Sequence, residues 1–152
     1  MLVELIMESL IQLDIEASSP EEAIRQAAYP LVQEGMIEER YVDGIIKALN
    51  NFGPYFVLLP HVALPHTRAE EGAVKNAIGI STLKNPICFG NSDNNPVKYI
   101  FFLSAMDNEK HIDAMGELLE LMNNPMFLSL LDQSNDREEF MHYLDNYLCS
   151  NK

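Results

Sequence analysis

Positive charge is scarce in this chain: ten Lys and Arg stand against 23 Asp and Glu, for a formal net charge of −13. Nucleic-acid binding relies on clustered basic side chains that displace counterions from phosphates, and the sequence holds no such cluster. The same deficit argues against adhesion to an anionic membrane surface. Solubility accounts for most of the acidity, with docking of a basic protein partner as the second use. Long apolar runs are missing too. No stretch approaches the roughly 20 residues that span a bilayer. The first residues, MLVELIMESLIQLDIEASS, lack the basic segment and small-residue cleavage site of a secretory signal, and read as part of the fold of a cytoplasmic protein. The two cysteines, Cys88 and Cys149, have neither metal nor redox spacing. Cys88, within PICFG, reads as a small core residue, and Cys149 as part of a frayable end. Repeats, low-complexity tracts and linkers are absent. A single domain over residues 1–152 is therefore expected, long enough to bury a core.

What is present is a change of periodicity along the chain. In SSPEEAIRQAAYPLVQEG, Ser19 can cap a helix, Pro20 suits its first turn and Glu22 completes a capping box. Ala23, Ile24, Ala27, Ala28 and Leu31 then recur at helical spacing, and Gly35 is a natural stop. EERYVDGIIKALNNFG is a second helix with Tyr41, Ile45, Ile46 and Leu49 inward. The middle of the chain switches to short β-branched and aromatic runs punctuated by Pro, Gly and Asn: YFVLL, VAL, AIGISTL, ICF and VKYIFFLSA. The last is almost continuously apolar, as a central strand covered on both faces must be. Three helices follow: DNEKHIDAMGELLELMNN with Ile112, Met115, Leu119 and Met122 on one stripe, PMFLSLLDQ, and SNDREEFMHYLDNYL. The expected fold is α/β, with a mixed sheet of five strands or a similar number and helices on both faces.

The chemistry is concentrated in histidines. His61 and His66 lie five apart, which directs them to opposite sides of a strand and is poor spacing on a helix. With no carboxylate or cysteine at ligand spacing, a zinc site has little support. VALPH reads as a short strand that delivers His66 to its end, where α/β proteins place ligand sites. Pro65 biases Leu64 toward an extended backbone. Arg68, two residues on, projects to the same side if the chain stays extended. A neutral imidazole beside a guanidinium suits phosphate chemistry, one as nucleophile and the other as clamp. A solvated loop histidine is the bland alternative, and this stretch alone favours it. His111 adds weight to the first reading. Asp107 or Asn108 can cap its helix, leaving His111 in or near the first turn, where unpaired amides and the helix dipole favour an anion. Positions 111, 115, 118 and 122 form a stripe, so His111 borders the buried face. His142 reads as structural or solvated, and His61 as structural.

The segments GPYFVLLPHVALPHTRAEEGA and LKNPICFGNSDNNPVKYIFFLSAMDNEKHIDAMGELLELM together resemble the enzyme IIA component of the bacterial sugar phosphotransferase system. The likeness is to its mannitol/fructose (type 2) superfamily, most of all the ascorbate-specific branch, and covers nearly the whole chain. Its specific parts are ALPH, the P-x-x-F-x-x-x-D-N-x-P-V strand pair, and NEKHI opening a helix. The resemblance implies that His66 is the phosphorylated histidine and that His111 supports the phosphoryl group. It implies a phosphoryl donor, the small carrier HPr, and an acceptor, a cysteine of enzyme IIB. A membrane component, IIC, would move the sugar, here of the ascorbate type. Two departures stand out: Lys47 is the only basic residue near the place where mannitol-type members carry an upstream arginine, and Thr67 follows the active histidine where Gly is frequent. Arg68, in the PHxR pattern, is the candidate clamp.

The implied reaction needs no metal and no other cofactor, because positioning and charge compensation do most of the work of phosphoryl transfer. A histidine titrating near 6.5 is largely neutral, and nucleophilic, in the cytoplasm. Leu64, Phe89 and Met106 are candidates for an apolar docking surface, although core burial suits them better. Two other roles fit the same residues: a phosphorylation-dependent regulator, and a binding module that no longer reacts. Homodimers occur among such domains.

Overall fold

The computed structural model describes residues 5–90, 92–106 and 108–150; the side chains of residues 108–111, 114, 148 and 150 lie outside that description. In chain order the elements are β1 (Ile6–Ile15), α1 (Pro20–Gln33), α2 (Glu39–Phe52), β2 (Val62–Ala63), a 3₁₀ turn (Ala69–Glu71), β3 (Ala77–Ile87), β4 (Val97–Ser104), α3 (Asn108–Met122), α4 (Pro125–Gln133) and α5 (Arg137–Ser150). The four strands form one mixed sheet in the order β1-β3-β4-β2. β1 runs parallel to β3, β3 antiparallel to β4, and β2 parallel to β4.

The sheet has four strands among the described residues, close to the five or similar number expected, and three assignments change. β1 lies in the amino-terminal segment, to which the sequence pattern assigns no element. YFVLL is no strand: Gly53, at φ +83°, and Pro54 open a turn there, with Val57 N–H donating to Pro54 O at 3.2 Å. Phe56 and Val57 are nonetheless buried, so their apolar character reports packing, not pairing. ICF is no separate strand either, since β3 continues through Ile87 and pairs it with Val97. Beyond it Phe89 is buried while Cys88 is exposed, contrary to its reading as a core residue. Ile87 and Phe89 take the inward places, and Cys88 between them turns outward.

Alternation along β4 explains its continuous apolar run. Ile100 and Phe102 face a core built with α1 and α2, which includes Ile24, Leu31, Tyr41 and Ile45. Tyr99, Phe101 and Leu103 face a second core built with α3, α4 and α5, including Leu118, Phe127, Phe140 and Leu144. A strand buried on both faces cannot spare polar positions. On the first face α1 comes very close to the sheet. A Cβ added at Gly79 would stand 2.6 Å from Leu31 Cδ1, so glycine is what lets that leucine seat against β3. The start of α1 follows the expected signals: Glu22 N–H donates to Ser19 Oγ at 3.2 Å, and the Glu22 carboxylate accepts from Ser18 N–H at 3.0 Å. On the second face, the α3 stripe is Met115, Leu118 and Met122 rather than one that includes Ile112, which is 68% exposed.

Polar bonds tie α4 to the sheet. The Tyr99 hydroxyl lies 2.8 and 2.7 Å from the two carboxylate oxygens of Asp132, and Lys98 Nζ donates to the same group at 2.8 Å. Burial, reinforced by the Asp132 carboxylate, pushes the Tyr99 phenol well above its usual range, so it remains a protonated donor. Asp132 is exposed, which weakens the bond through competition with water. Tyr99→Phe is accordingly expected to cost about 1 kcal/mol in urea unfolding. A variant as stable as the parent would show that water replaces the bond without loss.

Candidate active site

β2 and β4 are parallel neighbours, with Ala63 opposite Ile100, so both chains leave the sheet at the same end. The segment after β2 carries Leu64, Pro65 and His66. The segment after β4 leads into α3, whose fourth residue is His111. The topology therefore brings the two histidine-bearing segments to one edge. The His111 side chain, and Asp107 and the Asn108 side chain proposed as its helix cap, lie outside the described residues.

The hydrogen bonds of the loop 64–67 account for how it is held. Leu64 N–H donates to Phe56 O at 2.8 Å, and Leu103 N–H, at the end of β4, donates to Pro65 O at 3.0 Å. The His66 carbonyl accepts from the Tyr55 hydroxyl at 2.7 Å. Thr67 N–H donates to the Tyr41 hydroxyl at 3.2 Å, and that hydroxyl in turn donates to Leu103 O at 2.8 Å. Tyr41 is fully buried and spans α2, β4 and the loop. Burial pushes its phenol up to about 12, and burial, with Tyr41 nearby, does the same for Tyr55. Both therefore stay protonated in any neutral solution.

His66 itself is half-buried, and its Nδ1 lies 2.6 Å from Leu64 O. A carbonyl oxygen can only accept, so Nδ1 carries the hydrogen. In the neutral ring the lone pair is then on Nε2. The backbone thereby selects the tautomer.

The Arg68 side chain is 79% exposed, with Nη2 standing 3.4 Å from Glu71 Oε1. The following 3₁₀ turn is anchored by Arg40, whose Nη1 donates to Glu70 O at 2.8 Å. The motif D-N-x-P-V supports the approach to β2. Asn94 O accepts from His61 N–H at 2.8 Å, Asn94 Nδ2 donates to Val57 O at 3.2 Å, and Asn95 Oδ1 accepts from Phe89 N–H at 2.9 Å. His61 holds a left-handed backbone, φ +69°, and its Nδ1–H donates to Pro96 O at 2.9 Å. It braces the turn before β2. His142 is exposed on α5, with Asn146 Nδ2 3.4 Å from its Nε2. Of the apolar docking candidates, Leu64 and Phe89 belong to the cores and Met106 is exposed. No group of three or more His, Cys, Asp or Glu among the described residues is arranged to hold a metal ion.

The geometry at the strand end meets a matching family model over residues 4–147, that of the phosphoenolpyruvate-dependent sugar phosphotransferase system, EIIA 2. The chain belongs to this family. Its relatives include the ascorbate-specific PTS system EIIA component of Escherichia coli K12, 39% identical over 136 residues, covering 89% of this chain and 88% of that one. Among solved structures, the mannitol-specific cryptic phosphotransferase enzyme IIA CmtB of Escherichia coli matches with a TM-score of 0.82 at 32% identity, covering 93% of this chain and 95% of the other. The fold is also that of IIA in the Escherichia coli complex of mannitol IIA with phosphorylated mannitol IIB, with a TM-score of 0.78 at 22% identity, over 93% of this chain and 99% of that one. The EIIA chain seen here has no helix, among the described residues, long and apolar enough to cross a membrane.

The sequence does not mark Tyr41 or Tyr55 as functional. Tyr41 was visible only as an inward helix position, and Tyr55 as part of an expected strand. No short-range signal marks either, because their partners lie 26 and 11 residues away.

Proposed function

We propose that this EIIA chain is a cytoplasmic phosphocarrier, working as one domain over residues 1–152, that takes a phosphoryl group from phosphorylated HPr on His66 and passes it to a cysteine of an enzyme IIB. The sugar moved by the associated IIC permease is of the ascorbate type, as the name of the 39% identical relative suggests. The carrying observation is the Nδ1–H of His66 donating to Leu64 O, which leaves the nucleophilic lone pair on Nε2. Nε2 attacks phosphorus in line with the donor's departing imidazole nitrogen. The N–P bond of the donor breaks as that of His66 forms, and the electron pair returns to the donor ring. The positive charge that develops on the His66 ring strengthens its existing bond to the Leu64 carbonyl. The reaction then runs the same way toward the IIB thiolate.

His111, near the start of α3, and Arg68 compensate charge on the phosphoryl oxygens. The Arg68–Glu71 pair is exposed and worth little, so the long arm leaves it readily when a phosphate arrives. Met106 just after β4, Ile112 on α3 and Phe52 at the end of α2 are exposed apolar side chains suited to transient docking of HPr and IIB. His111→Ala is expected to slow transfer roughly a hundredfold with the fold retained, and Arg68→Lys roughly tenfold through loss of the planar donor fork. Unchanged rates would remove either residue from the mechanism. The function is tested by incubating the protein with phosphorylated HPr and then with ascorbate-type IIB. Phosphocysteine on IIB is the expected product. Labelling of His66 with delivery to no IIB of the same genome would make the protein a regulator instead.

A further inference from the structure

The local bond between the His66 ring and Leu64 O chooses a tautomer only while the ring and the carbonyl stay in register. Both belong to a loop, and the bond spans just two residues. Something beyond the loop has to hold them. Tyr55 touches His66 twice. Its hydroxyl donates to the His66 carbonyl at 2.7 Å, and its ring stands edge-on to the imidazole, with centroids 5.9 Å apart and planes at 69°. Tyr55 is itself braced by an edge contact to Phe56, centroids 5.0 Å apart and planes at 81°. Phe56 is fully buried, packs edge-on to Phe89 at 6.1 Å, and accepts Leu64 N–H at its carbonyl. A rigid path thus runs from the core through Phe56 and Tyr55 to both the backbone and the ring of His66.

We propose that Tyr55 is a positioning residue for the carrier histidine: its hydroxyl fixes the His66 carbonyl, and its ring edge confines the imidazole to the rotamer that keeps Nδ1 on Leu64 O and Nε2 toward the incoming phosphorus. The inference rests on the carrier reading given above. Tyr55 acts through His66 and makes no bond to the phosphoryl group. Its phenol, raised to about 12 mainly by burial, keeps the donated hydrogen at any pH where the carrier works.

The two contacts can be separated. Tyr55→Phe keeps the ring and loses the donor; Tyr55→Leu loses both. Because small displacements of a reacting group cost rate steeply, transfer from phosphorylated HPr should slow roughly tenfold in the first variant and roughly a hundredfold in the second. The loss should fall on kcat, with KM for phosphorylated HPr changed less than twofold. Tyr55 is 37% exposed, so a residue serving only as a docking contact would show the opposite split, a raised KM with kcat intact. An independent readout needs no phosphate: nitrogen-15 NMR of the His66 ring in the free protein. The parent should show a single Nδ1–H tautomer, and Tyr55→Leu a mixture of both. Tyr55→Phe, which preserves the packing, guards against a leucine variant that fails to fold. An unchanged tautomer together with an unchanged kcat, or an effect on KM alone, overturns the proposal. A parent protein that takes no phosphoryl group at His66 sinks the carrier reading itself, and the tautomer measurement then still decides whether Tyr55 orients the ring.

Discussion

His66→Gln is expected to abolish labelling by phosphorylated HPr. Glutamine is close to histidine in size, and its amide can donate to Leu64 O, so the loop keeps its local bond. Its nitrogen lone pair, however, is delocalised into the carbonyl and cannot attack phosphorus. Removing a nucleophile from a concerted site costs on the order of 10⁶-fold, far below what a labelling assay detects. The fold should be untouched, because His66 is only half-buried and its neighbours are held by Tyr41, Tyr55 and Leu103. Radiolabelled phosphate followed by mass mapping checks both points. Label persisting at full strength on another residue would refute the site, whatever the fold does.

The largest effect on stability is expected at Phe127→Ala. Phe127 is fully buried at the start of α4 and joins three elements. Its ring lies 6.1 Å from Phe101 of β4, 6.2 Å from Phe140 and 6.3 Å from Tyr147, both of α5. Truncation removes a large apolar surface and leaves a cavity that three separate elements cannot close together. The expected cost is about 3–5 kcal/mol, against a total stability for such domains of about 5–15 kcal/mol. The thermal midpoint should fall by roughly 10 °C for a chain of this size. Denaturant unfolding gives the number directly. A loss under about 1 kcal/mol would mean that α4 and α5 are held to the sheet by something other than this aromatic cluster.

What could be read from the linear chain, and what could not, divides along a physical line. Helix α1 was legible because a capping serine and a first-turn proline mark its start and a glycine its end, each signal lying beside the end it marks. Strand β4 was legible because both of its faces are apolar. Strand β1 was not. Its buried positions, Ile6, Leu10 and Ile11, fit neither period cleanly, and the register with β3 shifts between Ile6 and Ile11. Its partner, moreover, lies some 70 residues on, with no local turn to announce the pairing. YFVLL misled in the other direction, since buried residues in a turn carry the same composition as a strand. At the site, the local pattern VALPHTR marked His66 and Arg68 as candidates, a capped helix start marked His111, and the family likeness implied a role for each. The two tyrosine hydroxyls that hold the loop left no trace in it.

By itself, then, the chain determined the candidate for the reactive group, its place just past a strand end, and the family to which it belongs, because each is written in contiguous residues. The tertiary structure alone decided which nitrogen of His66 holds the hydrogen and which side chains keep it there. A tautomer is set by the partner facing the ring, and orientation by contacts reaching back to a buried core. Both arise only once the loop after β2 is closed against Tyr55 from one side and Tyr41 and Leu103 from the other.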